Sequence, residues 1–148
     1  MRTFACLLLA TLVTACGGRD ETGGSLQLEK LRGQWVVINY WAQWCKPCIK
    51  EIPELNKLDR DYPRVTVLGV NYDGITGTEL RAQVEKLGVK FTTLATDPAA
   101  QLGAPRPVVL PTTYVLDPEG KLREPLIGPQ TLESLARATE QWEGADTP

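Results

Sequence analysis

Hydrophobic residues along the chain are grouped into short apolar runs that polar segments separate. The runs at 34–42 (QWVVINYWA) and 65–73 (VTVLGVNYD) are apolar over most of their length and rich in β-branched and aromatic residues. Such runs are typical of strands that are buried on both faces. The segment 88–97 (GVKFTTLATD) predicts a shorter strand. The segment 110–128 predicts a hairpin, because two apolar runs flank the turn sequence Asp-Pro-Glu-Gly.

Three further segments repeat their apolar residues at helical spacing. The first helix follows the first strand, and its apolar positions are Ile49, Ile52, Leu55 and Leu58. The second is expected at 78–87, with apolar positions at Leu80, Val84 and Leu87. The third is expected at 131–141, with its apolar face at Leu132, Leu135, Ala136 and Thr139.

The order of these elements indicates an α/β fold. Strands and helices alternate first, which implies right-handed crossovers and parallel pairing, and the terminal hairpin then adds antiparallel strands. We therefore expect one domain at 26–142, built on a mixed sheet of four or five strands with helices on both faces. Residues 143–148 are expected to form a tail. A chain of 148 residues is long enough for one such domain.

The N-terminal residues have the pattern of a secretion signal. Arg2 precedes an apolar run, FACLLLATLV, which is too short to cross a membrane as a helix. The following VTAC resembles the lipobox of bacterial lipoproteins, so residues 1–15 are expected to be removed and Cys16 to carry a lipid. A secretion signal with an incidental cysteine is the alternative. Residues 16–25 are rich in glycine and would form a flexible tether to the membrane.

Composition and charge narrow the chemistry. The net charge is −2, from 16 basic and 18 acidic residues that are mixed along the chain, so no nucleic-acid surface is expected. Histidine is absent, which removes the usual general base and the commonest metal ligand. Of the four cysteines, Cys6 leaves with the signal and Cys16 takes the lipid, so Cys45 and Cys48 remain as thiols.

The pair Cys45 and Cys48, two residues apart, has three interpretations. A structural zinc site needs four ligands, and two cysteines without histidine do not provide them unless two chains share the metal. A purely structural disulfide would close too short a loop to stabilise the chain by much. The third interpretation is a redox-active disulfide, which needs no metal and no other cofactor. The sequence favours it because the pair lies at the start of a predicted helix.

Position in the helix predicts different roles for the two cysteines. Unpaired backbone N–H groups and the helix dipole stabilise a thiolate at the first turn, so Cys45 is expected to be the attacking nucleophile. Lys46 adds positive charge, and Pro47 stiffens the loop. Cys48, one turn inside the helix, would be the resolving thiol.

Two longer stretches carry a resemblance to a known family. VVINYWAQWCKPCIKEIPEL and LPTTYVLDPEGKL resemble the thioredoxin superfamily, and within it the membrane-tethered TlpA/ResA-like branch that includes the cytochrome c maturation thioredoxins. The resemblance implies a thioredoxin fold and a cis peptide bond at Pro111 beside the disulfide. It also implies that the backbone of Leu110 pairs with an extended substrate, and that Trp44 belongs to an apolar platform around the reactive thiol.

Glu51 is the remaining candidate residue. Cytoplasmic thioredoxins carry a buried aspartate that accepts the proton of the resolving cysteine, whereas Asn39 stands at that strand position here. Glu51 follows Cys48 by three residues, as a glutamate does in the ResA-like branch, and we expect it to transfer that proton. The sequence leaves open that Glu51 only contributes favourable charge near the start of the helix.

The resemblance implies a thiol-disulfide oxidoreductase, and we expect a disulfide reductase of extracytoplasmic proteins. Its substrates would be protein disulfides or dithiols and its electron donor a membrane thiol transporter. It would act as a monomer, anchored to a bacterial membrane by the lipid on Cys16. Two alternatives stay open. A thiol peroxidase of the same fold would carry Pro and Thr shortly before its cysteine, and NYWAQWC has neither; a binding lipoprotein without enzymatic activity would be expected to have lost the cysteine pair.

Overall fold

The structure, a computed structural model, describes residues 26–142. Its elements, in chain order, are a 3-10 helix at Leu28–Leu31, β1 at Trp35–Trp41, α1 at Lys46–Asp61, β2 at Val65–Asn71, α2 at Gly77–Leu87, β3 at Thr92–Leu94, β4 at Thr112–Leu116, β5 at Leu126–Ile127 and α3 at Leu132–Ala138. Every strand and helix predicted from the sequence is present. In this part of the chain, none of the helices has the length and apolar character needed to cross a membrane. The expected signal, the lipidated Cys16, the tether and the tail lie outside the described residues.

The five strands form one mixed sheet in the order β3-β2-β1-β4-β5. β1 pairs with β2, and β2 with β3, in parallel, whereas β4 is antiparallel to both β1 and β5. The crossovers through α1 and α2 produce the parallel half, and the chain reversal after β4 produces the antiparallel half. This topology confirms the predicted α/β fold with a mixed sheet. All seven residues of β1 are buried, because β1 lies at the centre of the sheet.

The sheet buries a hydrophobic cluster on each face. Alternate side chains of β1 point to opposite sides, so that Val37 packs with Leu55 and other residues of α1, whereas Ile38 belongs to the second cluster. Full burial of a side chain of this size stabilises the fold by about 1.5–3 kcal/mol. Among the described residues, the three α-helices contribute to the first cluster, and the 3-10 helix and the segment 95–111 cover the second. Helical segments thus lie on both faces, with the α-helices on one of them.

The strands are shorter than the apolar runs that predicted them, with β2 ending at Asn71 rather than at 73, and two further differences have a clear structural cause. α3 ends at Ala138 rather than at 141, because Glu140 has a φ of 54°, in the left-handed region, and cannot continue the helix. The second arm of the hairpin, predicted as one strand, consists of a bridge at Leu122 and the short β5. Pro125, which has no N–H to offer the sheet, lies between these two parts.

Gly69, at the centre of β2, is required by the packing beside the cysteines. A Cβ at this position would lie 2.8 Å from Nε1 of Trp41 and 3.0 Å from Oγ1 of Thr93, closer than side chains pack. Gly69 therefore makes room for the Trp41 ring, which belongs to the same cluster as both cysteines. The small residue on β2 in this way helps to define the environment of the disulfide.

Candidate active site

Cys45 and Cys48 form a disulfide between β1 and α1, with their Cα atoms 5.3 Å apart. Cys45 is the N-cap residue of α1, and its Sγ accepts a hydrogen bond from the Cys48 N–H at 3.2 Å. The turn after β1 is closed by the Cys45 N–H, which donates to the Ala42 carbonyl at 3.1 Å. Pro47 fits the first turn of α1, because the first four N–H groups of a helix have no partner within it.

The two cysteines lie in different environments. Both residues are buried, but Cys48 is covered completely, whereas Cys45 is 3 % exposed and is the less covered of the two. Once the disulfide is opened, the N–H groups of the first turn and the positive end of the helix dipole favour negative charge on Cys45. Lys46, which is exposed beside it, adds a positive charge. The roles of Cys45 as nucleophile and Cys48 as resolving thiol stay predictions, and the position of Cys45 at the helix start is the one they require.

Glu51 lies one turn beyond Cys48 on α1 and is only 2 % exposed. Its two carboxylate oxygens accept hydrogen bonds from different elements. Oε1 accepts from the side-chain amide of Asn39 at 2.6 Å, and Oε2 accepts from the backbone N–H of Gln130 at 2.8 Å. The carboxylate therefore connects β1, α1 and the segment that precedes α3.

Burial raises the pKa of Glu51 to about 7, and the hydrogen bonds from Gln130 and Asn39 oppose this rise. A carboxyl group with such a pKa gains and loses a proton near neutral pH, as a proton acceptor for a thiol must. A carboxylate whose only role is a favourable interaction with the helix dipole does not need to be buried. This is the environment that the predicted proton transfer requires, and that role of Glu51 stays a prediction.

Asn39 holds the carboxylate from the β1 side. Its Nδ2 donates to Glu51 and also to Oγ1 of Thr113 on β4, at 3.0 Å. Within residues 26–142, its Oδ1 has no hydrogen-bond partner. An unpaired buried amide oxygen is costly, so the gain from directing Nδ2 at a carboxylate must exceed this cost. Asn39 therefore takes a fixed orientation toward Glu51.

The other expected supporting residues surround the disulfide. Trp44 is 63 % exposed, and its Nε1 donates to the Asp73 carboxylate at 3.0 Å. Leu110 packs against the cluster that contains both cysteines, and the Leu110–Pro111 peptide bond is cis. Leu110 thus provides apolar surface beside the disulfide, and Trp44 precedes Cys45 in the chain with most of its side chain exposed. In the part of the chain that the structure describes, no three acidic or cysteine side chains are grouped so as to hold a metal ion.

Three contributors to the site were not identified from the sequence: Gln130, Thr113 and Asp73. Gln130 lies 79 residues from Glu51, and Thr113 lies 74 residues from Asn39, so no local pattern signals these contacts. Thr113 could have been found from the strand register, because it stands opposite Asn39 in the β1–β4 pairing. Gln130 lies in an irregular segment that no repeat predicts, and Asp73, at the end of the predicted strand, lies beyond β2, which ends at Asn71.

Known proteins resemble this chain over most of its length. The model of the AhpC/TSA family matches residues 10–124. The thiol-disulfide oxidoreductase ResA of Bacillus thuringiensis (strain Al Hakam) is 34 % identical over 120 aligned residues, and the match covers 78 % of this chain and 68 % of that protein. The thioredoxin-like protein YneN of Bacillus subtilis (strain 168) is 30 % identical, covering 77 % of this chain and 68 % of its own. The crystal structure of a secreted thiol-disulfide isomerase from Corynebacterium glutamicum has a TM-score of 0.64 at 28 % identity, over 76 % of this chain and 72 % of its own. These likenesses confirm the predicted thioredoxin fold.

Replacing Glu51 by glutamine should remove a pH dependence of stability. Because the pKa of Glu51 is raised to about 7 in the folded chain, its contribution to stability is complete below the unfolded value, about 4.3, and is lost as pH rises through about 7. In the oxidised protein, Glu51→Gln should therefore gain roughly 3 kcal/mol relative to the parent between about pH 4 and about pH 8.5. Denaturant unfolding at the two pH values measures this difference.

Glu54→Gln is the matched control for that experiment. Glu54 lies on the same helix, but the Lys57 ammonium and the Leu132 N–H hold the pKa of its carboxyl below the usual value. This variant should show no gain at alkaline pH. Parallel stability curves for the parent and Glu51→Gln would contradict the raised pKa of Glu51.

Proposed function

The chain belongs to the AhpC/TSA family and is a ResA-like thiol-disulfide oxidoreductase, and we propose that it reduces disulfides of proteins outside the cytoplasm. The observation that carries the proposal is the combination of the Cys45–Cys48 disulfide at the start of α1 with a buried carboxylate one turn further, at Glu51. The first provides an activated thiolate after reduction. The second provides a place for the proton of the other thiol in a chain without histidine.

In the first step, the Cys45 thiolate attacks one sulfur of the substrate disulfide. A mixed disulfide forms, the substrate S–S bond breaks, and the second substrate sulfur leaves as a thiolate that takes a proton from solvent. The hydrogen bond from the Cys48 N–H supports the attacking thiolate. Trp44 contributes apolar surface that contacts the substrate chain. The backbone of Leu110, next to Pro111, pairs with that substrate chain.

In the second step, Cys48 gives its proton to Glu51, and the resulting thiolate attacks Cys45. The mixed disulfide breaks, the first substrate sulfur leaves and is protonated, and the Cys45–Cys48 disulfide forms again. Two electrons have then passed from the enzyme dithiol to the substrate, which leaves as a dithiol. The pKa of Glu51, about 7, supports this transfer because the carboxyl is readily available in its ionised form near neutral pH.

Electron flow in this proposal runs toward the substrate. The buried carboxylate of Glu51 opposes additional negative charge on the cysteines, which favours the disulfide over the thiolate form and lowers the reduction potential. The start of α1 and the exposed Lys46 act in the opposite direction. The expected potential is intermediate, between about −120 mV for the oxidant DsbA and about −270 mV for thioredoxin.

A reductase in an oxidising compartment needs a supply of electrons, and a membrane thiol transporter, whose dithiol reduces the Cys45–Cys48 disulfide, is the donor in this proposal. The expected lipid on Cys16 and the tether at 16–25 would hold a monomer near that donor. The relative from Corynebacterium glutamicum is described as secreted, which supports the extracytoplasmic location. The substrates of the present chain would include the cysteine pair of apocytochrome c.

Recovery of a Cys16→Ser variant in the membrane fraction would contradict the lipid anchor.

The variant Cys48→Ser should trap protein substrates. With the resolving thiol removed, Cys45 should hold its partner as a mixed disulfide that survives non-reducing electrophoresis and is released by dithiothreitol. Cys45→Ser is the matched control and should hold none, because Cys48 is fully buried. Equal capture by both variants would contradict the assignment of Cys45 as the nucleophile. If the parent protein reduces hydrogen peroxide faster than it reduces protein disulfides, the peroxidase alternative is favoured.

Glu51→Gln should slow the second step while leaving the first unchanged. Loss of a proton acceptor of this kind reduces a rate by about 100-fold. Stopped-flow tryptophan fluorescence of the reduced protein with a model disulfide should separate formation of the mixed disulfide from its resolution. If resolution proceeds at the rate of the parent, Glu51 does not accept the proton of Cys48.

Equilibration with glutathione buffers tests the direction of electron flow. The fraction of oxidised protein, followed by thiol alkylation, should give a potential at least about 50 mV below that of DsbA, which is about −120 mV. Glu51→Gln should raise the potential, because it removes the opposing charge. A potential near that of DsbA would identify an oxidant rather than a reductase.

A further inference from the structure

The chain between β3 and β4, residues 95–111, contains neither helix nor strand, yet its last part packs against the cluster that contains both cysteines. Val108 and Val109 are 91 % and 49 % exposed, and Leu110 packs against the cluster that contains both cysteines. We call Val108, Val109 and Leu110 the apolar strip. The backbone hydrogen bonds within this segment lie at 98–104, before the strip, so other contacts must keep the strip in place. One of them is the Thr112 hydroxyl, which donates to the Val109 carbonyl at 2.8 Å.

Two tyrosine hydroxyls from the sheet hold the backbone just before the apolar strip. The hydroxyl of Tyr72, the residue after β2, donates to the Pro107 carbonyl at 3.1 Å. The hydroxyl of Tyr114, on β4, donates to the Pro105 carbonyl. Proline has no N–H, so its carbonyl is the only backbone group that can hold it by a hydrogen bond. Both prolines are therefore fixed through that group.

Arg106, which lies between the two prolines, makes further contacts that hold this part of the backbone. Its Nε lies 3.0 Å from the Asp97 carboxylate, which also accepts a hydrogen bond from the Tyr40 hydroxyl at 2.7 Å. Its Nη2 donates to the Tyr72 carbonyl, and its guanidinium carbon lies 4.1 Å from the centre of the Tyr72 ring. The side chain is 50 % exposed, so the ion pair alone contributes little, and the contact with the ring adds to it.

Tyr72 is itself fixed to the active-site end of the sheet. Its backbone N–H donates to the Trp41 carbonyl at 2.8 Å, at the end of β1, and its side chain packs against the cluster that contains the cysteines. Its hydroxyl then reaches Pro107, the residue immediately before Val108. A single side chain thus links the end of β1, from which the cysteines follow, to the start of the apolar strip.

We propose that Tyr72 and Arg106 are positioning residues that fix the apolar strip beside the disulfide and thereby determine how tightly an extended protein chain binds. They act through the strip and not on the sulfur atoms. The rate of exchange with a small disulfide that does not reach the strip should therefore not depend on them. This inference rests on the proposed function, since it concerns the substrate of the same site.

The test compares a protein disulfide with a small one. Reduction of insulin, driven by dithiothreitol, reports on binding of a protein chain, and stoichiometric exchange of the reduced protein with a small aromatic disulfide reports on thiol chemistry. Tyr72→Phe keeps the ring and removes only the hydroxyl. It should raise the KM for insulin about fivefold, the equivalent of one lost hydrogen bond, with kcat changed by less than about twofold. Arg106→Ala should raise that KM by at least as much.

Exchange with the small disulfide should be unchanged in both variants. Arg60→Ala and Tyr62→Phe are the matched controls, because Arg60 pairs with Asp61 on the exposed surface and Tyr62 caps the far end of α1. Both controls should keep the parent KM for insulin. If Arg106→Ala does not fold, Tyr72→Phe alone decides the outcome.

Two results would overturn the inference: an unchanged KM for insulin in Tyr72→Phe, or equal losses with insulin and the small disulfide. A parent that exchanges with the small disulfide but not with insulin would also overturn it, because no protein chain is then bound. A parent that exchanges with neither substrate would overturn the proposed function, and this inference with it.

Discussion

The burial of one carboxylate is the constraint on which the active site depends. A charged group removed from water is costly unless donors surround it, and Glu51 receives one donor from Asn39 and one from Gln130. These donors come from opposite ends of the chain, so they meet the carboxylate only when the whole domain has folded. The protonation state of Glu51 is therefore a property of the assembled sheet and helices, not of the Cys-x-x-Cys segment alone.

The central strand transmits this constraint to the cysteines. Asn39 stands opposite Gly69 of β2 on one side and Thr113 of β4 on the other, so its position is set by two neighbours at once. The strand then ends at Trp41, and the turn to Cys45 begins. A strand that is hydrogen-bonded along both edges moves little, which gives the disulfide a rigid support.

The sequence predicts those features that depend on neighbouring residues. The apolar repeats predict the helices and the buried strands, and the position of Cys45 at a helix start predicts its role, because both depend on contacts within a few residues. The segment 95–111 has no such repeat, and its path is set by the tyrosines of three different strands or strand ends. Likewise, the hydrogen bond from the Gln130 N–H to Glu51 depends on where the segment before α3 passes over α1. Burial and long-range hydrogen bonding decide these positions, and neither leaves a local signal.

The low exposure of Cys45, 3 %, has a consequence for the encounter between enzyme and substrate. Because Cys45 is almost covered, a molecule that reacts with its sulfur must first contact the residues packed around it, such as Leu110. The surroundings of the disulfide, and not only the chemistry of the two cysteines, therefore influence which molecules react with it.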